Sequence, residues 1–266
     1  MKPWYIQSNF MKHQGAAKLA KALQDSGIPF TDAPLLPFEE LTTWPEGEFI
    51  VYGSTRLVEY AYKQGRPGVF YDPETFNVRA WSKNVRRLLN SPGAILTAGQ
   101  IRTGAPEWAW FLADQQKGKA FHFRPVCDLK PFNAQVLHTD QFEDIEKNLF
   151  GSYEVPDDTE IAISAAQMID AEVRFFVVSG VPISGSYYRR KGKPHLQQLD
   201  GQTFEQGEAM TAADRFALQW LPHKNCVMDL ALVDGKWHVL EFNCLNASGF
   251  YDHDIEGVAT ALSVQR

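Results

Sequence analysis

Cysteine is scarce in this 266-residue chain, with three in all. Cys127, Cys226 and Cys244 are too few and too scattered to build a disulfide framework or a zinc site. Long apolar runs are missing too. No stretch approaches the roughly 18 apolar residues of a membrane span, and Met1-Lys2-Pro3-Trp4-Tyr5-Ile6-Gln7-Ser8-Asn9 lacks the apolar core of a signal peptide. There is no excess of positive charge: Lys+Arg 26 against Asp+Glu 32 leaves a net charge of -6. That balance excludes electrostatic docking on nucleic acid or an anionic membrane, while allowing a local cationic pocket for a small phosphorylated ligand. No nucleophilic Ser, Cys or His arrangement stands out. His122, His138, His195 and His238 are scattered and read as structural. Together these absences predict a reduced, cytoplasmic protein with neither nucleic acid nor membrane as partner.

What is present is an ordinary folding composition, 44% apolar, 13% aromatic and 22% charged, enough to bury a sizeable core. The first 85 or so residues alternate between strand and helix patterns. Trp4 to Gln7, Phe49 to Tyr52 and Gly68 to Tyr71 read as short strands, and Met11 to Gln24 and Arg56 to Gln64 as helices. Such alternation predicts a small parallel α/β unit. Beyond residue 90 the pattern becomes hairpin-like. Helices are expected at Glu107 to Gln116, around Asp140 to Phe150, at Glu208 to Leu221 and at Asp252 to Leu262. Strands are expected at Ala120 to Val126, Ala134 to His138, Glu160 to Ser164, Ala171 to Val178, Ile183 to Tyr188, Cys226 to Val233 and Trp237 to Asn243. The fold class is therefore α/β plus α+β, with a small α/β domain at 1–88 and an antiparallel α+β region at 89–266.

Three patches could carry chemistry. In Cys226 to Asn243, strand alternation sets Asp229 on one face with Val227 and Ala231, and Glu241 on one face with Asn243. A loop of odd length, Val233-Asp234-Gly235 as a type I turn closed by an αL glycine, puts Asp229 and Glu241 on the same side of the sheet. Two carboxylates and an amide there suit Mg²⁺, although polar faces of antiparallel sheets are also common for no such reason. The second patch holds Arg124 within a strand and Lys130 just after it, either a phosphate clamp or two surface cations. The third, Ala171 to Val178, carries Glu172 and Arg174 on one face of an otherwise apolar strand. Charges so placed are expected to be paired or liganded.

Taken in order, these patches resemble the ATP-grasp superfamily of ligases, and in particular a divergent clade with an Arg-Pro strand and a downstream Lys. The matching residues are Arg124-Pro125 with Asp128-x-Lys130-x-Phe132, then Ala171 to Val178 with Gly185-Ser186-Tyr187-Tyr188-Arg189, and finally Asp229 with Leu240-Glu241-Phe242-Asn243 and Ser248-Gly249-Phe250-Tyr251. The resemblance implies ATP and Mg²⁺ as cofactors. Arg124 and Lys130 would then contact the phosphates, the segment near Ile163 and Ser164 would line the adenine, and Glu172 would meet the ribose. Asp229, Glu241 and Asn243 would hold the metal, and Arg174 would reach the γ-phosphate or the acyl intermediate as the catalytic residue. The implied activity is ligation of a small-molecule or peptide carboxylate to an amine or thiol through an acylphosphate. Pro131-Phe132-Asn133-Ala134-Gln135 holds no glycine-rich phosphate loop, which keeps a non-catalytic ATP-binding module, or a kinase on the same scaffold, as alternatives.

Overall fold

The computed structural model describes residues 1–8, 14–33, 44–104, 108, 119–128 and 131–265. The chain divides into two compact units, Met1–Asp72 with Ile169–Arg266, and Pro73–Met168.

The first unit begins with strand β1 (Trp4–Ile6), helix α1 (Gln14–Asp25), strands β2 (Phe30–Asp32) and β3 (Ile50–Tyr52), and helix α2 (Thr55–Lys63). The three strands form a parallel sheet in the order β2-β1-β3. In α1, Ala16, Leu19 and Leu23 recur at helical spacing and are fully buried, and the helix ends before Gly27. Residues 11–13, where this helix was expected to start, lie outside the described residues. Ser54 caps α2 by accepting from the Leu57 N–H at 3.2 Å.

One expected strand is absent: 68–71 joins no ladder, and the third strand is β2 instead. Gly68 has φ +83° and lies so close to β3 that a Cβ there would sit 1.9 Å from the Phe49 carbonyl oxygen. An extended conformation cannot start from such a residue. One backbone bond, from the Val51 N–H to the Gly68 carbonyl at 3.3 Å, joins 68–70 to β3, and a side chain supplies the rest: buried Asn246 donates to the Val51 and Gly68 carbonyls at 2.6 and 2.8 Å and accepts from the Phe70 N–H at 2.6 Å.

The second unit contains α3 (Val78–Asn84), β4 (Ala94–Thr97), α4 (Ala98–Arg102), β5 (Ala120–Pro125), β6 (Gln135–His138) and β7 (Glu160–Ala165). Its sheet is antiparallel in the order β4-β7-β5-β6. Phe121, Phe123, Ile161 and Ile163 fill its core beside Phe132, Phe142 and Phe150. The expected helix at 140–150 is instead a 3₁₀ turn, Thr139–Asp144, followed by a π turn, Glu146–Phe150. The coil tightens and then widens so that Phe142, Ile145, Leu149 and Phe150 all reach the core. The helix expected at Glu107 to Gln116 lies outside the described residues apart from Trp108.

The chain then returns to the first unit with β8 (Ala171–Val178), β9 (Val181–Arg190), β10 (Lys193–Gln198), α5 (Phe204–Gln219), β11 (Cys226–Val233), β12 (Lys236–Asn243), a 3₁₀ turn at Leu245–Ala247 and α6 (Ile255–Ser263). These five strands form an antiparallel sheet, β10-β9-β8-β11-β12. Phe176 and Val178 of β8 and Val227 of β11 share one core with Trp4, Ile6, Leu19 and Leu23, closed by Val258, Ala259 and Leu262 of α6. On the other face of β8, Val173, Phe175 and Val177 are buried as expected. Among the described residues, no helix is long and apolar enough to cross a membrane.

Candidate functional site

The five-stranded sheet carries a transverse row of polar residues that runs from its central strand, β8, to its edge strand, β12. Asp229 of β11 pairs with Arg174 of β8 on one side and with Glu241 of β12 on the other. The route to this register differs from the expected one. Val233 pairs with Lys236, so the loop is the two-residue Asp234-Gly235, with φ +47° and +69°, a type I′ turn. A regular ladder from that turn would set Asp229 opposite Leu240. Instead the register slips by one residue between Asp229 and Leu230, and the bulge brings Glu241 opposite Asp229.

Arg174 and Asp229 make a buried, two-pronged ion pair. The Arg174 Nε–H donates to Asp229 Oδ1 at 2.8 Å and an Nη2–H donates to Oδ2 at 2.7 Å. Its Nη1–H donates to the Gly249 carbonyl at 3.2 Å. Burial opposes the Arg174 charge, but the adjacent carboxylate more than offsets this and holds the guanidinium protonated well above its ordinary range. The Asn243 amide donates to Asp229 Oδ2 at 3.1 Å and to Glu241 Oε1 at 3.2 Å, tying the two carboxylates together. Asp229, Glu241, Asn243 and Arg174 are thus gathered in one place.

Glu172, two residues along β8 from Arg174, is also buried. Burial raises its carboxyl pKa, against the Tyr188 hydroxyl and the Arg189 guanidinium, whose Nη1 lies 3.4 Å from Oε1. Tyr188 and Tyr251 stack with centroids 5.1 Å apart, and Arg174 sits over both rings at 5.7 and 4.9 Å. Neither tyrosine was singled out from sequence as a site residue. The available signal was their place within two short motifs next to Arg189 and Gly249. His253 lies behind this cluster, its ring edge-on to Phe176 and its Nδ1 3.0 Å from the Ser184 hydroxyl. Burial, and then the Arg174 charge, push its pKa down to about 3.

In the second unit, Arg124, next to last in β5, has its guanidinium over the Trp81 ring at 4.8 Å. Backbone bonds from Val78 N–H to Val126 O (2.9 Å) and from Asp128 N–H to Phe76 O (3.1 Å) tie the start of α3 to the end of β5 and set Trp81 in place. The ladder puts Arg124 opposite Ala162, and His122 opposite Ser164, so all four share a face. Ile163 points the other way, into the core, and its carbonyl accepts from the Gly93 N–H at 2.9 Å. The sheet therefore brings Ser164, not the Ile163 side chain, to the face of Arg124. Lys130 lies outside the described residues.

A family model for the ATP-grasp domain, R2K clade family 3, matches residues 109–262. This chain belongs to the R2K clade of the ATP-grasp family. No curated protein sequence matches it. Among solved structures it is similar to the D-cycloserine synthetase DcsG, at 15% identity with a TM-score of 0.61, covering 99% of each chain. It is also similar to a D-alanine–D-alanine ligase from Bacillus anthracis, at 11% identity and TM-score 0.57, covering 100% of this chain and 93% of that one. A third similar structure is the ATP-grasp ligase PsnB complexed with a phosphomimetic variant of its minimal precursor, Mg and ADP, at 12% identity and TM-score 0.51, covering 98% and 97%. At these identities the likeness is one of fold.

ATP and Mg²⁺ are the nucleotide and metal of this family. The polar row of this ATP-grasp protein fits the metal. No group of three or more Asp, Glu, His or Cys side chains is gathered among the described residues. Mg²⁺ does not require one, since it ordinarily takes one or two carboxylates together with substrate phosphates and waters. Two carboxylates bridged by an amide supply that set in hard oxygen donors.

Proposed function

We propose that this protein is an ATP-dependent ligase that joins a carboxylate to an amine through an acylphosphate. The observation that carries the reading is the Asp229–Glu241 pair, bridged by Asn243 and brought opposite one another by a register slip between β11 and the edge strand β12. In this reading Asp229, Glu241 and Asn243 hold Mg²⁺, which when bound neutralises charge on the ATP phosphates. Arg124 and Lys130 bind the phosphates, Glu172 accepts from the ribose hydroxyls, and the face bearing Ser164 lies beside the adenine with Ile163 behind it.

The substrate carboxylate oxygen forms a bond to the γ-phosphorus as the bond to the bridging oxygen of ADP breaks. The amine then attacks the acyl carbon, phosphate leaves, and the amine's proton is lost. The names of the similar structures, a D-cycloserine synthetase and a ligase complexed with a precursor peptide, suggest small amino acid derivatives and peptides as the substrate classes to test. Phosphoryl transfer of this kind is catalysed by positioning and charge, with little covalent work for side chains.

The glycine-free stretch Pro131 to Gln135 favours a second reading, a module that binds ATP without turnover. Incubating the protein with Mg²⁺, ATP and a panel of amino acids and short peptides separates the two. Sustained ADP release with an acyl group trapped by hydroxylamine supports the ligase, ATP binding without release supports the module, and a stable phosphorylated acceptor identifies a kinase.

A further inference from the structure

Three of the five Arg174 N–H groups are engaged within the protein. Its Nε–H and one Nη2–H take both oxygens of Asp229, its Nη1–H takes the Gly249 carbonyl, and its faces lie against Tyr188 and Tyr251. The Arg174 side chain is 9% exposed and that of Asp229 1%, so water does not loosen the pair. The terminal torsion of an aspartate is otherwise broad and roughly two-fold. A planar fork across both oxygens fixes that torsion, which a point charge cannot do. With the rotation fixed, Oδ2 is held toward the Asn243 amide and, through it, toward Glu241. The same guanidinium anchors the segment that follows the second carboxylate strand. There Gly249 accepts its bond, and Tyr251 holds φ +43°, a left-handed backbone that a tyrosine adopts only when its surroundings impose it.

We propose that Arg174 is a positioning residue for the metal carboxylate Asp229, and does not itself contact the transferring phosphoryl group. This rests on the reading of Asp229 as a metal ligand. Groups that orient a metal ligand without touching the metal ordinarily contribute 10–100-fold in metal affinity, whereas an arginine on the phosphoryl group acts on turnover at saturating metal.

The test uses the full chain with ADP and reads Mn²⁺ affinity from the electron paramagnetic resonance signal of free Mn²⁺. Arg174→Lys keeps the charge and removes the fork. It is expected to weaken Mn²⁺ roughly 10–100-fold, and its turnover should recover as Mg²⁺ is raised. Unchanged Mn²⁺ affinity, with or without a fall in kcat at saturating Mg²⁺, overturns the proposal. Asp229→Asn runs in parallel. If it too leaves Mn²⁺ affinity unchanged, the metal assignment has failed and the proposal with it. Should Arg174→Lys fail to fold, the wild-type protein decides the matter by ¹⁵N NMR of the arginine Nε groups. The Arg174 signal is expected to be the same with Mg²⁺–ADP and with Mg²⁺ and a non-hydrolysable ATP analogue. A signal that moves when the γ-phosphate is present shows direct contact and overturns the proposal.

Discussion

Asp229 and Glu241 face each other because the β11–β12 ladder slips by one residue at Leu240. Both ends of that statement can be tested. Removing Leu240 would let the regular register from the Asp234-Gly235 turn bring Glu241 opposite Asp229 without a bulge. The deletion is expected to fold and to retain Mn²⁺ binding within about threefold, at a stability cost of roughly 1–2 kcal/mol for the lost packing of a half-buried leucine. A folded deletion protein that no longer binds Mn²⁺ would show that the bulge aims Glu241, not merely that it restores parity.

This detail also marks how far the sequence can be read. The opposition of Asp229 and Glu241 was legible from strand alternation plus an odd offset, but the sequence places the odd residue in the turn. Asp-Gly supports both a two-residue I′ turn and a three-residue turn with a bulge, and only the packing along β12 decides between them. Most strands of the two antiparallel sheets were legible because their apolar runs are bounded by turn residues, but β4, four residues long, and β10, an edge strand of mostly polar residues, were not expected. The strand β2 was not: Phe30-Thr31-Asp32 is three residues long and its place is set by pairing with β1. That residues 1–72 share a core with residues 169–266 is a non-local fact that no composition shift along the chain reveals. The Trp81–Arg124 contact is hidden in the same way, with forty-odd residues between its partners.

Asn246 replaces a strand ladder. Its amide satisfies two backbone carbonyls and one N–H between β3 and 68–70. Asn246→Ala leaves the Val51 carbonyl and the Phe70 N–H without this partner, while the Gly68 carbonyl keeps the Val51 N–H at 3.3 Å, so denaturant unfolding should show a loss of about 2 kcal/mol. Asn246→Asp should be worse, since a carboxylate would face both carbonyls. A loss below about 0.5 kcal/mol for the alanine variant would show that water replaces the side chain there.

His253 makes stability depend on pH with a definite sign. Its folded pKa is pushed down to about 3, against about 6.5 for an unfolded chain. As pH falls through 6.5 the unfolded chain takes up the proton and the folded chain does not, so this contribution is intact above about pH 6.5 and lost progressively toward pH 3. His253→Gln, which keeps a polar group near Ser184, should flatten the fall in melting temperature between about pH 6.5 and 4.5. An unchanged slope would mean that His253 charges freely in the folded protein.

In the proposed reading Arg124 binds the phosphates and not the base. Arg124→Met preserves the packing volume over Trp81 and removes the charge. Calorimetry should show ATP binding weakened by about tenfold or more, the value of a charge-assisted hydrogen bond, with adenosine binding unchanged. Equal losses for the two ligands would place Arg124 among the structural residues of its sheet.

The central claim, that the Asp229–Glu241 pair holds the metal for ATP-dependent ligation, is tested most directly by Mg²⁺-dependent ADP release from Glu241→Gln. Glutamine keeps the shape and the possibility of a hydrogen bond with Asn243 while removing one of the two carboxylate charges. The fold, judged by its unfolding transition, should survive, and turnover at about 1 mM Mg²⁺ should drop by about 100-fold or more, as expected when a metal loses one of its charged ligands. Turnover equal to wild type across the Mg²⁺ titration would contradict the account.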